Sequence, residues 1–307
     1  MITFEEALKI VLDNAPQCGT EKVRLENSMG RFLAEDVTSD VEMPPFDKSA
    51  MDGFACRHVD QDKELEILET IAAGSPPQKK VGEGECARIM TGAMVPKGAD
   101  VVVKVEDTEI TPGGKVRVMK PITKSNIAMK AEDVQVGDVA VTAGIRIEPQ
   151  HIAVMASVGR TEPLVAIKPS VGVISTGDEI VEAKYKPSLS QIRNSNGPQL
   201  TAQAVRAGAR AKYFGIARDD EKVTFDMLSR ALDESDVVLL SGGVSMGDFD
   251  FIPGVLEKLG IELKFKTVAI QPGKPTVFGL RNEKRIFGLP GNPVSSFTTF
   301  ELFVRPM

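Results

Sequence analysis

Apolar and polar positions follow three different patterns along the chain. At the start, Phe4, Ala7, Leu8, Val11 and Leu12 recur at helical spacing, and Thr3 with Glu6 fits a capping box, which predicts an amphipathic helix. From about Glu64 to Ile147 the apolar runs shorten and become β-rich: Leu65 to Ile71, Asp100 to Val105, Lys115 to Met119 and Val139 to Ile147. Gly74-Ser75-Pro76-Pro77 and Pro112-Gly113-Gly114 separate them as turns, so this stretch reads as a small β domain. Pro149 suits the first turn of a short helix over His151 to Val158, stopped at Gly159. From Pro169 onward, apolar strands alternate with helical segments as in a parallel α/β sheet. The strands expected are Val171 to Ile174, Ala211 to Ile216, Val237 to Leu240, Ile261 to Val268, Thr276 to Leu280 and Ile286 to Leu289. The helices expected are Gln199 to Ala207, Val223 to Ser235, Pro253 to Leu259 and Val294 to Val304, and the main boundary falls near residue 168.

Composition narrows the function classes. A length of 307 residues suits roughly two domains, and 42% hydrophobic with 26% charged residues is an ordinary globular balance. The net charge of -6 offers no global positive field to a nucleic acid or an anionic membrane, though a local anion pocket remains open. Aromatic content of 5% without tryptophan supplies no stacking platform for single strands. Cys18, Cys56 and Cys86 are odd in number and widely spaced, which argues for a reducing, cytoplasmic setting and against a thiolate zinc site. No apolar run approaches the ~18 residues of a membrane span, and the first residues are acidic where a signal peptide would be basic.

The candidate chemistry sits where expected strands run into polar loops. These loops are Ser175-Thr176-Gly177-Asp178-Glu179, Arg218-Asp219-Asp220, Ser241 to Asp248, and Pro290-Gly291-Asn292-Pro293. In open α/β sheets the carboxyl ends of the strands form the ligand crevice, and glycine with free N–H groups at a helix start suits phosphate or another oxyanion. Glu179, Asp219, Asp248 and Asp250 lie on or beside these loops, a hard oxygen set that suits magnesium beside a phosphate. Each carboxylate alone would equally serve as a helix cap or a solvated surface group. Lys274, between prolines in Gln271-Pro272-Gly273-Lys274-Pro275, either meets an oxyanion or tips a plain turn. In the first half, residues 44–55, PPFDKSAMDGFA, are stiffened by two prolines and present Lys48, Ser49 and Asp52; a linker is the alternative reading. Gly82, Gly84 and Ala87 fit GxGxxA in the wrong context for a dinucleotide turn, and His58 with His151 read as structural.

Taken together, PPFDKSAMDGFA, RIMTGAMVPKGAD, VISTGDEI, IRNSN, LLSGGVSMGDFDF, PGKP and GLPGNPVSSF resemble, in order, the motifs of the molybdopterin molybdenumtransferases, a family similar to the E domain of gephyrin. The resemblance implies a three-layer αβα molybdopterin-binding domain over 169–307, like that of the molybdopterin adenylyltransferases. It also implies a preceding region 1–168: an elongated arm of about 1–45 and 140–168 around an inserted, mostly β subdomain of about 46–139. The implied reaction takes adenylylated molybdopterin and molybdate, or tungstate, and releases AMP with magnesium assistance. Carried over by motif, Asp219 and Asp250 would bind magnesium. Glu179, Lys274, Asp52 and Thr91 would complete the catalytic set, the last two acting across a homodimer. Ser175, Thr176, Gly177, Asn196, Ser241, Gly242, Gly243, Ser245, Pro275, Pro290, Gly291, Asn292 and Ser295 would hold the pterin nucleotide and oxyanion. A molybdopterin adenylyltransferase is the implied partner. Many relatives carry lysine where Thr267 and Gln271 stand, so less positive charge is expected for the oxyanion. The family normally continues into a C-terminal β domain beyond Phe303 to Met307. Two other activities fit parts of the pattern: a pterin-binding scaffold dimer without turnover, and a molybdopterin adenylyltransferase, against which the first 168 residues argue.

Overall fold

The computed structural model describes residues 1–243 and 252–307. They form two compact units, one built from Met1–Glu21 with Val165–Met307, the other from Lys22–Leu164.

The first unit contains α1 (Phe4–Asp13), β1 (Ser170–Thr176), α2 (Asn196–Arg206), β2 (Arg210–Ala217), α3 (Glu221–Glu234), β3 (Val237–Ser241), α4 (Ile252–Lys258), β4 (Glu262–Phe265), β5 (Val277–Arg281), β6 (Lys284–Leu289) and α5 (Pro293–Thr299). A widened π-type turn, Phe300–Val304, continues α5. The strands lie in the order β2-β1-β3-β6-β5-β4. β2, β1, β3 and β6 run parallel, while β5 is antiparallel to both β6 and β4. The all-parallel sheet expected from the sequence is therefore mixed. Only Asn282 and Glu283 separate β5 from β6, Asn282 at φ +52, and a parallel pair would need a crossover of a dozen or more residues.

Period-two alternation buries both faces of this sheet. Val171, Val173, Val237, Leu239, Phe287 and Leu289 face α1, α2 and the chain's final helical segment, where Ala7, Val11, Leu200, Ala204, Phe300 and Phe303 meet them. Ile174, Val238, Leu240 and Ile286 face α3 and α4, against Leu228, Ala231, Val255 and Leu256. The result is three layers. The capping box forms as the sequence implies, with Thr3 N donating to Glu6 Oε2 at 2.9 Å and Glu6 N to Thr3 Oγ1 at 3.2 Å. What the sequence does not disclose is where α1 goes: its apolar stripe covers the α/β core, so the first residues join this unit and not the segment that follows them.

The second unit centres on a six-stranded sheet in the order Val101–Lys104, Gly53–Cys56, Glu85–Ile89, Glu64–Ile71, Val116–Val118 and Thr108–Ile110. Its pairings are antiparallel except between Glu64–Ile71 and Glu85–Ile89. Gly53–Cys56 is buried at every position, and Gly53 is obligatory there because a Cβ would stand 2.0 Å from Val103 O. Val37–Thr38 pairs with Val139–Val141, so the segments entering and leaving the sheet run side by side. The strand expected over Val139 to Ile147 stops at Val141, ahead of Gly144 at φ +85. The helix Pro149–Ser157 begins on Pro149, with His151 Nδ1 accepting from Glu148 N at 3.0 Å; this histidine is a cap.

Candidate functional site

Register places the candidate loops at one end of the α/β sheet. Ser175 of β1 lies opposite Ser241 of β3, Ser241 opposite Leu289 of β6, and Thr176 opposite Ala217 of β2. The loops that follow, at Gly177, Arg218, Gly242 and Pro290, therefore leave from the same edge. β5 runs the other way and begins there, with Val277 opposite Gly288, which brings Lys274 and Pro275 to the same end. The chain turns to β2 on one side of β1 and to β3 on the other, so the switch point where such sheets bind ligands lies between β1 and β3.

The close approach at this point demands glycine. Gly242 holds φ +92, and a Cβ on it would stand 2.8 Å from Thr176 O and 2.9 Å from Thr176 Oγ1. A Cβ on Gly177 would meet Glu179 Oε2 at 2.2 Å, so the Glu179 carboxylate lies over the Gly177 backbone. Asn196, 8% exposed at the start of α2, joins two of the loops: its Nδ2 donates to Ser241 Oγ at 2.7 Å and to Gly291 O at 2.8 Å. Its Oδ1 is buried with no hydrogen-bond partner among the described residues. Asp178 and Asp219 join two others through reciprocal bonds, Asp178 N to Asp219 Oδ2 at 3.2 Å and Asp219 N to Asp178 Oδ1 at 3.3 Å. The turn before β5 is closed by Thr276 Oγ1 donating to Gly273 O at 2.6 Å, with Lys274 exposed at its tip.

At the head of α5, Asn292 Oδ1 accepts from Val294 N at 3.0 Å and Ser295 N at 3.2 Å. Amides expected to face an oxyanion are thus capped within the chain. Ser245, Asp248 and Asp250 lie outside the described residues, and among the described residues no group of three or more His, Cys, Asp or Glu side chains clusters as a metal site.

Behind the loops runs a polar chain that sequence reasoning missed. Ser175 Oγ donates to Asn194 Oδ1 at 3.1 Å, Asn194 Nδ2 to Tyr213 OH at 2.7 Å, and Tyr213 OH to Glu182 Oε1 at 3.0 Å. Burial, then the Glu182 carboxylate, pushes the Tyr213 phenol up, so it stays a neutral donor. Asn194 stands two residues before Asn196 in the same motif; Tyr213 and Glu182 carry no local signal.

The Asp52 and Thr91 candidates form a pair within the β unit. Asp52 Oδ1 accepts from Thr91 Oγ1 and Thr91 N, both at 2.6 Å. These two bonds hold the exposed Asp52 carboxyl below the usual carboxylate range. Met51, Lys104, Glu106 and Asp107 line a cleft with them.

Strand-end loops gathered at the switch point of a layered α/β sheet define a protein that binds a nucleotide or cofactor. Residues 2–159 match the family described as MoeA N-terminal region (domain I and II), and residues 172–307 match the probable molybdopterin binding domain. The chain is 39% identical over 317 residues to the molybdopterin molybdenumtransferase of Bacillus subtilis (strain 168), covering 100% of this chain and 74% of that protein. It is also 39% identical over 313 residues to the enzyme of the same name from Staphylococcus aureus (strain N315), covering 99% and 74%. A crystal structure of the molybdopterin biosynthesis MoeA protein from Pyrococcus horikoshii matches with a TM-score of 0.84 and 32% identity, over 100% of this chain and 78% of that one. The chain belongs to the molybdopterin molybdenumtransferase family.

Proposed function

We propose that the chain acts in molybdenum cofactor biosynthesis, inserting molybdate or tungstate into adenylylated molybdopterin with release of AMP. The observation that carries this reading is the convergence of four strand-end loops and the Lys274 turn on one end of the sheet. Gly177, Gly242, Gly243 and the Pro290-Gly291-Asn292 turn offer the close backbone approach that a phosphate-bearing pterin needs. Ser175, Thr176, Ser241 and Asn196 fix those loops, while Lys274 meets the oxyanion by charge and hydrogen bonding. Pro275 and Ser295 belong to the same cradle.

Asp219, the described member of the expected pair, suits magnesium. Asp178 and Asp219 are exposed, and each uses one carboxylate oxygen on a backbone amide, leaving the other without a hydrogen bond among the described residues. Magnesium takes one or two carboxylates and completes its shell with water and phosphate oxygens. Asp219, with Asp250, would hold it, and when bound it offsets charge on the phosphoanhydride. Glu179 is the further acid over Gly177. The Asp52–Thr91 pair acts from a second copy of the chain, in a cytoplasmic homodimer supplied by a molybdopterin adenylyltransferase.

The test is to incubate the full chain with adenylylated molybdopterin, magnesium and molybdate and to measure AMP by chromatography. Molybdate-dependent AMP release is expected, reduced about a hundredfold in Asp219→Asn. Pterin binding without release at any molybdate concentration would replace this reading with a scaffold, and ATP-dependent adenylylation of molybdopterin would replace it with an adenylyltransferase.

A further inference from the structure

The β unit contains a basic pocket of its own. Val102, Val103 and Lys104, the segment Lys120 to Lys124, Asp107 and Asn126 line a surface pocket of about 90 Å³. Sites for drug-sized ligands run to roughly 300–1,000 Å³, so this pocket suits a small group. Lys104, Lys120 and Lys124 share it with a single carboxylate, Asp107. Lys120 Nζ takes that carboxylate at 2.5 Å, while Lys104 and Lys124 have no ion-pair partner among the described residues. The walls are fixed by two backbone bonds and one side-chain bond: Val102 N donates to Ser125 O, Met119 N to Asp107 O, and Asn126 Nδ2 to Val102 O, each at 2.8 Å. Two lysines without an ion-pair partner among the described residues thus line one small pocket, and Thr123 lines it beside them.

We propose that Lys104, Lys124 and Thr123 bind a tetrahedral oxyanion, either free or as the terminal phosphate of a larger ligand. Lys104 and Asp107 also line the cleft of Asp52 and Thr91, so a bound anion sits beside that pair. This adjacency gives the subsite a use in the proposed reaction, as a holding point for the oxyanion substrate or the AMP phosphate. The binding itself does not rest on that reaction.

The full chain, labelled for amide NMR, is titrated separately with inorganic phosphate, molybdate and AMP. The amides of Thr123, Lys124 and Asn126 are expected to shift saturably, more weakly as salt is raised. The double variant Lys104→Gln/Lys124→Gln should weaken that binding about tenfold or more. Response to phosphate and molybdate but not to AMP identifies a free oxyanion; tighter response to AMP identifies a nucleotide phosphate. Absence of shifts at these amides, or equal shifts in the double variant, overturns the proposal. Failure of AMP release with these shifts intact would count against the proposed reaction alone.

Discussion

Asn196 offers a sharp test of how the loops are held. Its Nδ2 donates to Ser241 Oγ at 2.7 Å and Gly291 O at 2.8 Å. Asn196→Ala removes both bonds, worth about 1 kcal/mol each, and leaves the buried Ser241 hydroxyl short of a donor at about 1 kcal/mol more. It also removes the buried, unpartnered Oδ1, which returns about 1 kcal/mol. The expected net loss is about 2 kcal/mol. Asn196→Asp keeps the shape, puts acceptors where donors stood and buries a charge, so it should cost more than alanine at neutral pH. The introduced carboxyl would have its folded pKa raised by burial. The protonated side chain therefore favours the fold below the unfolded value of about 3.9, and that advantage is lost as pH rises through the folded value.

Urea unfolding followed by tyrosine fluorescence reads this directly. The protein has no tryptophan and 2 tyrosines, Tyr185 and Tyr213, both in the α/β unit. With m near ~2 kcal/mol/M, the alanine variant should shift the midpoint by roughly 1 M. An aspartate variant as stable as the alanine one at pH 8, or one no better at pH 5 than at pH 8, would refute the donor role of Nδ2.

Three further outcomes follow from the same geometry. Gly242→Ala drives a Cβ into the Thr176 backbone at a positive φ and should cost about 2–4 kcal/mol in the same unfolding assay. Thr91→Val removes one of the two bonds holding the Asp52 carboxylate, so its pKa, read by carboxyl carbon NMR, should rise toward the ordinary value. Because the Asp52 pKa is depressed in the fold, its stabilising contribution is present above the unfolded value and lost as pH falls through the folded one, and the variant should lose part of it. Ala131 holds φ +62, so Ala131→Gly should relieve strain against a smaller entropic cost and raise stability by about 0.5 kcal/mol, measured by thermal melting.

The α/β unit was readable because its strands are long apolar runs that stop at glycine or proline loops; β1, β3 and β6 fall where the pattern puts them. Gly53–Cys56 was not, since a short strand buried on both faces has no alternation, while Glu85–Ile89 is the β run that follows the Gly82 and Gly84 turn. The antiparallel turn of β5 was concealed by the same apolar content that marked it as a strand. Among site residues, the loop glycines and carboxylates could be named from position. The Ser175–Asn194–Tyr213–Glu182 chain could not, because its members meet only through tertiary pairing of β1 with β2 and the loop before α2.

The packing of α1 ties the order of synthesis to the order of folding. Phe4 packs at a tilt against Phe303 with ring centroids 5.6 Å apart, so the first helix leaves the ribosome long before its aromatic partner exists. Residues Lys22–Leu164, a compact unit of their own, are complete in the meantime. The α/β core can close only once Phe303 has emerged, and until then the Phe4 stripe is an exposed hydrophobic surface for which a nascent-chain chaperone would compete.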